Sequence, residues 1–186
     1  MSKLPEAFDL ALNLHAKQKR KGTTIPYISH LMSVAALVME HGGDEEQVIA
    51  GFLHDTLEDC GPEHAETIRE RFGEKVLRIV EGCTDGVPNE SGSKPDWRSR
   101  KLAYLSHLKV VAEETLLVSA CDKLHNARAI LLDLRTVGPE VFNRFKAGKE
   151  GTLWNFRRLA ETFSERLPGP LSAELSRTVD AMEAEA

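Results

Sequence analysis

Apolar residues recur at the three- and four-residue spacing of an α-helix along nearly the whole chain, and this periodicity most constrains the fold. Glycine and proline pairs interrupt it at intervals, as at Gly42-Gly43, Gly61-Pro62 and Gly138-Pro139. The two-residue alternation typical of strands is almost absent. The sequence therefore predicts an all-α fold, a helical bundle of about eight or more helices.

Length and composition fit one globular domain. The chain has 186 residues, of which 41% are hydrophobic and 28% are charged, and this is enough material for a sizeable core. We expect a single domain over residues 1–186, with a core at about 5–166 and a C-terminal helix at about 170–183. We expect no synthetase or regulatory module after Ala186.

Charge and cysteine content exclude several classes of protein. A net charge of −5 gives no electrostatic case for binding nucleic acid. No apolar run is long enough to cross a membrane, and the N-terminus lacks the pattern of a signal peptide. Three cysteines without CxxC spacing argue against a disulfide framework. We expect a cytoplasmic protein, and the sequence leaves its oligomeric state open.

A cluster of ionisable residues ends one of the apolar segments. The pair His54-Asp55 is followed at once by Glu58-Asp59. If the segment is α-helical, His54 lies four residues from Glu58, Asp55 lies four residues from Asp59, and all of them fan over one face. Carboxylates gathered on a half-buried face are costly unless a cation lies there. The cluster therefore indicates a divalent metal ion.

Two further residues from other predicted helices complete this cluster. His30 lies in the first turn of one predicted helix, and Asp122 lies inside a long one at about 114–136. We refer to His30, His54, Asp55 and Asp122 as the ligand set. Two imidazoles and two carboxylates suit Mn²⁺, Fe²⁺ or Zn²⁺ better than Ca²⁺.

A metal ion in the ligand set would support hydrolysis. It lowers the pKa of a bound water, so that hydroxide is available near neutral pH. Glu58 and Asp59 would hold this water, or move protons, during the cleavage of a phosphoester or pyrophosphate. His125 is expected to be a packed or surface histidine rather than a ligand.

Ordered stretches of the sequence resemble a known family. The order His, His-Asp, Asp is the metal signature of the HD superfamily. The surrounding residues resemble the hydrolase domain of RelA/SpoT homologues and the stand-alone small alarmone hydrolases of the metazoan SpoT-homologue type. The matching stretches are residues 15–22, 26–30, 54–59, 71–73, 80–84, 100–101 and 122–128.

The resemblance implies an activity and a set of roles. That family removes the 3′-diphosphate from guanosine tetra- and pentaphosphate with Mn²⁺. The resemblance implies that the ligand set holds one Mn²⁺ ion and that Glu58 and Asp59 position and activate water. Arg20 and Lys21 would contact the nucleotide through stacking and charge. The other implied substrate contacts are Asn126, Arg128, Lys149 and Trp154.

Three departures from the family pattern keep other hypotheses open. The loop Gly22–Ile25 is longer than usual, Leu31 replaces a common proline, and the loop at 82–95 is reshaped. All three border the expected nucleotide pocket. An alternative is therefore an HD phosphohydrolase for another nucleotide: an adenosine alarmone, a dinucleotide or a phosphorylated nicotinamide cofactor. A non-catalytic nucleotide-binding regulatory domain is a further alternative, although it would need no Glu58-Asp59 pair.

Overall fold

The computed structural model describes residues 2–85 and 96–186, and in these ranges the chain is helical with no extended strand. The prediction of an all-α bundle is confirmed. The helices are α1 Leu4–Leu14, α2 Ile28–Glu40, α3 Glu45–Leu53, α4 His64–Phe72, α5 Glu74–Cys83, α6 Trp97–Leu108, α7 Glu113–Val137, α8 Gly148–Arg166 and α9 Pro170–Glu185. No helix in the described ranges is long and apolar enough to cross a membrane.

Helix α3 begins and packs as its sequence dictates. The Asp44 side chain accepts from the Gln47 N–H at 2.9 Å, and the Gln47 side chain accepts from the Asp44 N–H at 2.9 Å, which forms a capping box. Farther along, Gly51 permits a close approach to α2, because a Cβ atom there would lie 3.1 Å from the Cα of Ala35. This contact brings the end of α3 close to the helix that carries His30.

Helix α7 is the centre of the bundle, because it packs against α2, α3, α5, α8 and α9. Its apolar side is buried at Leu124, Ala127 and Leu131. Asp122 is also buried, so the bundle interior receives a carboxylate as well as aliphatic groups. The long helix α9 packs along α7 and α8, while the single-domain boundaries at 1–186 remain a prediction.

The segment that follows α3 differs from the α-helix we expected. Helix α3 ends at Leu53, His54 and Asp55 form a turn, and Thr56–Cys60 is π-helical. The N–H of Gly61 donates to the carbonyl of Thr56 at 3.2 Å, five residues back. A π-type turn adds a residue per turn and is frequent at functional sites. The α-helical condition on which the four-residue stacking of His54 on Glu58 depended is therefore not met.

Candidate active site

The ligand set converges on one point between three parts of the bundle. His30 comes from α2, His54 and Asp55 from the turn after α3, and Asp122 from the middle of α7. The Nε2 atom of His54 lies 3.0 Å from Asp55 Oδ2, and the Nε2 atom of His30 lies 3.2 Å from Asp122 Oδ1. Potential ligand atoms of His30, His54 and Asp122 all lie within 4.8 Å of one another.

His54 shows that this convergence suits a metal ion. Its Nδ1 lies 2.9 Å from the carbonyl of Gly51, which can only accept, so Nδ1 carries the proton and Nε2 carries the lone pair. Nε2 is buried and has no hydrogen-bond partner among the residues that the structure describes. A buried lone pair that faces two carboxylates must be satisfied by a proton or by a metal cation, since buried polar atoms are otherwise paired. The residues therefore fit a divalent metal ion.

The charges around the ligand set favour a bound cation. Burial alone would raise the pKa of Asp55 and Asp122, but His54 beside Asp55 and Lys123 beside Asp122 hold each pKa well below its ordinary value. Burial would likewise lower the pKa of His54, but Asp55 and Asp122 raise it well above its ordinary value. Without a metal ion, a proton on His54 would balance the two carboxylates.

Two partners that we did not predict hold the carboxylates in place. The hydroxyl of Tyr27 donates to Asp55 Oδ2 at 2.6 Å, and Lys123 Nζ donates to Asp122 Oδ2 at 2.5 Å. Burial raises the pKa of Tyr27 most, and the nearby charge of Asp55 raises it further. The hydroxyl therefore keeps its proton and remains a donor. Lys123 directly follows Asp122 and Tyr27 lies three residues before His30, and this closeness in the sequence is a signal that could have indicated them.

Glu58 and Asp59 leave the π-helical segment towards a cavity of about 910 Å³. Asp59 Oδ2 accepts from Gln18 Nε2 at 2.7 Å. Glu58 Oε2 accepts from the main-chain N–H of Asp85 at 3.3 Å. Both carboxylates are thus oriented by donors from other segments and line the same cavity as residues near the ligand set. A water molecule in that cavity would be within their reach.

The cavity is strongly cationic. Among the described residues that line it, nine are lysine or arginine and three are aspartate or glutamate, so the local charge is opposite to that of the whole chain. A concave site of this size and charge suits a small molecule with several phosphates. The basic residues are Lys19, Arg20, Lys21, Arg100, Lys101, Lys123, Arg128, Arg144 and Lys146.

Four of the six predicted substrate contacts line this cavity: Arg20, Lys21, Asn126 and Arg128. Arg20 Nη2 donates to Asn126 Oδ1 at 2.6 Å, and Asn126 Nδ2 donates to Asp122 Oδ1 at 2.5 Å. This chain of bonds joins the substrate side of the cavity to the ligand set. Arg128 forms an ion pair with a glutamate of α9 at the cavity rim.

The other two predicted contacts, Lys149 and Trp154, are not brought to the described wall of the cavity. Lys149 Nζ donates to the main-chain oxygen of Ala186 at 2.6 Å. The guanidinium carbon of Arg98 covers Trp154 at 3.2 Å from the ring centroid. Trp97, which we did not predict as a contact, lines the cavity instead and meets Trp154 edge-on.

Two further residues near the site, Asp85 and His125, were not among the predicted site residues. Asp85 is buried and forms an ion pair with Lys101, while Arg100 Nη1 donates to its carbonyl at 3.2 Å. The ring of His125 lies against the ring of His30. Burial first, and then the charge of His30, lower the pKa of His125 to about 4. Most of the predicted loop at 82–95 falls at 86–95, outside the described residues.

The class of protein follows from comparison with known sequences. A model of the HD domain family matches residues 7–153. The chain therefore belongs to the HD domain family.

Individual relatives give a closer comparison. The chain is 37% identical over 129 residues to the guanosine-3′,5′-bis(diphosphate) 3′-pyrophosphohydrolase of Aquifex aeolicus, covering 68% of this chain and 18% of that protein. It is 36% identical over 124 residues to the probable enzyme of that name from Synechocystis, covering 67% of this chain and 16% of that protein. The chain thus spans less than a fifth of these relatives.

A solved structure supports the fold. A metazoan ortholog of SpoT, described as hydrolysing ppGpp, superposes with a TM-score of 0.77 at 21% identity. The match covers 97% of this chain and 95% of that chain. At this level of identity, the comparison establishes the common helical bundle.

Proposed function

We propose that the protein is a Mn²⁺-dependent guanosine-3′,5′-bis(diphosphate) 3′-pyrophosphohydrolase. The observation that carries the proposal is that Glu58 and Asp59 line one cationic cavity together with the side chains that hydrogen-bond the carboxylates of the ligand set, namely Tyr27, Lys123 and Asn126. The names of the bacterial relatives support the same substrate. The nucleotide, its metal ion and the roles of the site residues belong to this proposal.

The cavity residues would bind and orient the nucleotide. Arg20 and Lys21 offer a planar guanidinium and a compact charge, which suit a base face and a phosphate respectively. Asn126 is fixed between Arg20 and Asp122, so its amide has a defined direction beside the ligand set. Binding energy spent here would hold the 3′-diphosphate near the metal ligands, which accelerates the reaction through proximity.

Hydrolysis would then cleave the bond between ribose O3′ and its phosphorus. A bound divalent cation activates water and offsets the charge on the phosphoryl oxygens. Water oxygen bonds to the phosphorus, the P–O3′ bond breaks, and its electron pair goes to O3′, which takes up a proton. Glu58 or Asp59 accepts the proton that the water loses. The products from ppGpp are GDP and pyrophosphate.

The ligand set offers two nitrogen and two oxygen donors, which supports Mn²⁺ as the bound metal ion. The same donors also suit Fe²⁺ or Zn²⁺. A cytoplasmic location is likewise part of the proposal. Its support is that Cys60, Cys83 and Cys121 are all free thiols, as in a reducing compartment.

A nucleotide panel tests the proposal. Purified protein with Mn²⁺ should release GDP and pyrophosphate from ppGpp, and Asp55→Ala should abolish the release. Asp9→Ala, which removes an exposed carboxylate of α1, should keep full activity. If Mn²⁺ binds and ppGpp is not cleaved, the proposal is wrong. Faster cleavage of an adenosine alarmone, a dinucleotide or a phosphorylated nicotinamide cofactor would favour the second hypothesis. Binding of ppGpp without cleavage of any nucleotide would favour a regulatory domain.

A further inference from the structure

His30 and His125 face each other through the same ring atom. Their two Nδ1 atoms lie 2.7 Å apart, and the ring centroids are 4.8 Å apart. Two lone pairs, or two N–H groups, would repel at this distance. One proton must therefore lie between the two nitrogens, donated by one ring and accepted by the other.

The position of this proton decides what His30 offers to a metal ion. If the proton belongs to His125, neutral His30 carries its own proton on Nε2, which points at Asp122 and Asp55, and no lone pair is available there. If the proton belongs to His30 Nδ1, the lone pair is on Nε2 and faces the two carboxylates. The second arrangement alone completes the ligand set.

His54 shows why His30 needs such a partner. The Nδ1 of His54 meets the carbonyl of Gly51, which can only accept, so the backbone fixes that ring as a ligand. His30 meets an imidazole, which can accept or donate. No backbone carbonyl therefore fixes which ring nitrogen of His30 carries the proton. The protonation of His125 decides it.

We propose that His125 is a positioning residue that accepts the Nδ1–H of His30 and thereby presents the His30 Nε2 lone pair to the metal ion. The inference rests on the metal-dependent function proposed above. It has a second consequence: neutral His125 carries its proton on Nε2. His125 lines the cavity, so a donor on its ring would be close to the place where a phosphorylated ligand would bind.

Nitrogen NMR of the wild-type protein tests the assignment directly. With ¹⁵N-labelled histidine and Zn²⁺ as a diamagnetic probe, His30 and His54 should be protonated on Nδ1, and His125 on Nε2. Protonation of His125 on Nδ1 in the Zn²⁺-bound protein would overturn the inference, and so would failure of Zn²⁺ to perturb His30 and His54. The experiment uses no nucleotide, so absence of ppGpp cleavage would affect the proposed function alone.

Two variants separate hydrogen bonding from packing. His125→Phe keeps a ring but has no acceptor, and it should weaken Zn²⁺ binding by about 10- to 100-fold, as for other partners of metal-bound histidines. His125→Asn can place its amide oxygen near the lost Nδ1, so it should restore most of the affinity. His41→Phe, at the other end of α2, is the matched control and should bind Zn²⁺ like the wild type.

Calorimetric titration gives these affinities, and thermal unfolding followed by circular dichroism checks that each variant folds. Wild-type affinity in His125→Phe would overturn the inference, as would an equal loss in His125→Phe and His125→Asn. If His125→Phe fails to fold, the protonation of His125 measured in the wild-type protein decides the question.

Discussion

Removal of one oxygen atom, by Tyr27→Phe, should weaken metal binding. The Tyr27 hydroxyl donates to Asp55 Oδ2 at 2.6 Å, in a partly buried position beside the ligand set. A hydrogen bond to a charged group contributes about 1.5–3 kcal/mol. If this hydrogen bond contributes its full free energy only when Asp55 holds the metal ion, its loss raises the Kd for the metal by about 10- to 100-fold. A change of about 1.4 kcal/mol corresponds to a factor of ten in Kd.

Isothermal titration of the metal-free protein with Mn²⁺ measures this change. Tyr104→Phe is the matched control, because Tyr104 is the other tyrosine of the chain and its hydroxyl bonds Ser119 rather than a carboxylate. The ring of Tyr104 stays in place over Lys123 in this variant, 5.2 Å from the ammonium nitrogen. We expect the control to change the free energy of unfolding and to leave Mn²⁺ affinity unchanged.

Binding of Mn²⁺ by Tyr27→Phe as tightly as by the wild type would refute a contribution of the Tyr27 hydroxyl to metal binding. An equal loss of affinity in Tyr104→Phe and Tyr27→Phe would also refute this contribution, since the effect would then come from general loosening of the bundle. Urea unfolding of both variants in the metal-free state separates a change in stability from a change in metal binding.

Three further substitutions test the cavity. Gly22→Ala should lower the free energy of unfolding by about 1–2 kcal/mol, measured in urea, because Gly22 has φ of 71°. It should also raise KM for ppGpp, because the new Cβ would meet the Arg144 side chain. Asp85→Asn should lower unfolding free energy by about 1–3 kcal/mol, because it removes the partner of Lys101. Added pyrophosphate should restore more stability to this variant than to the wild type in thermal melts. Lys149→Ala should leave KM unchanged in steady-state assays, because Lys149 bonds Ala186 away from the described cavity wall.

Each of these substitutions has a contradicting result. An unchanged KM in Gly22→Ala would show that Arg144 takes no part in substrate binding. If pyrophosphate stabilised Asp85→Asn no more than the wild type, Lys101 would not be free to pair with phosphate in that variant. A raised KM in Lys149→Ala would place this lysine in the substrate site after all.

The fold could be predicted from local signals, and the ligand set could be predicted because the order His, His-Asp, Asp resembles the metal signature of a known superfamily. Helical periodicity along the chain predicts the helical bundle. The pair His54-Asp55 directly follows the buried end of α3, and this position can be read from the neighbouring residues alone. The π-helical turn could not be predicted, because Thr56–Cys60 has the apolar and acidic residues of an ordinary helix. It is defined by a bond from the Gly61 N–H to the Thr56 carbonyl, five residues back, which no residue pattern in this segment indicates.

Contacts between segments that are distant in the sequence could not be predicted, for a different reason. Arg20 bonds Asn126 across 106 residues, and Gln18 bonds Asp59 across 41 residues, so these pairs exist only once the helices have packed. The same holds for Lys149, whose partner at Ala186 follows from the packing of α9 on α8.

Cleavage of ppGpp in ¹⁸O-labelled water tests the central claim most directly. The Mn²⁺-loaded protein should yield GDP and pyrophosphate, with one ¹⁸O atom in each pyrophosphate and none in GDP, because water bonds to the phosphorus while O3′ stays on the ribose. Mass spectrometry of both products measures the label. Label in GDP, release of inorganic phosphate in place of pyrophosphate, or no cleavage with Mn²⁺ bound would contradict the account.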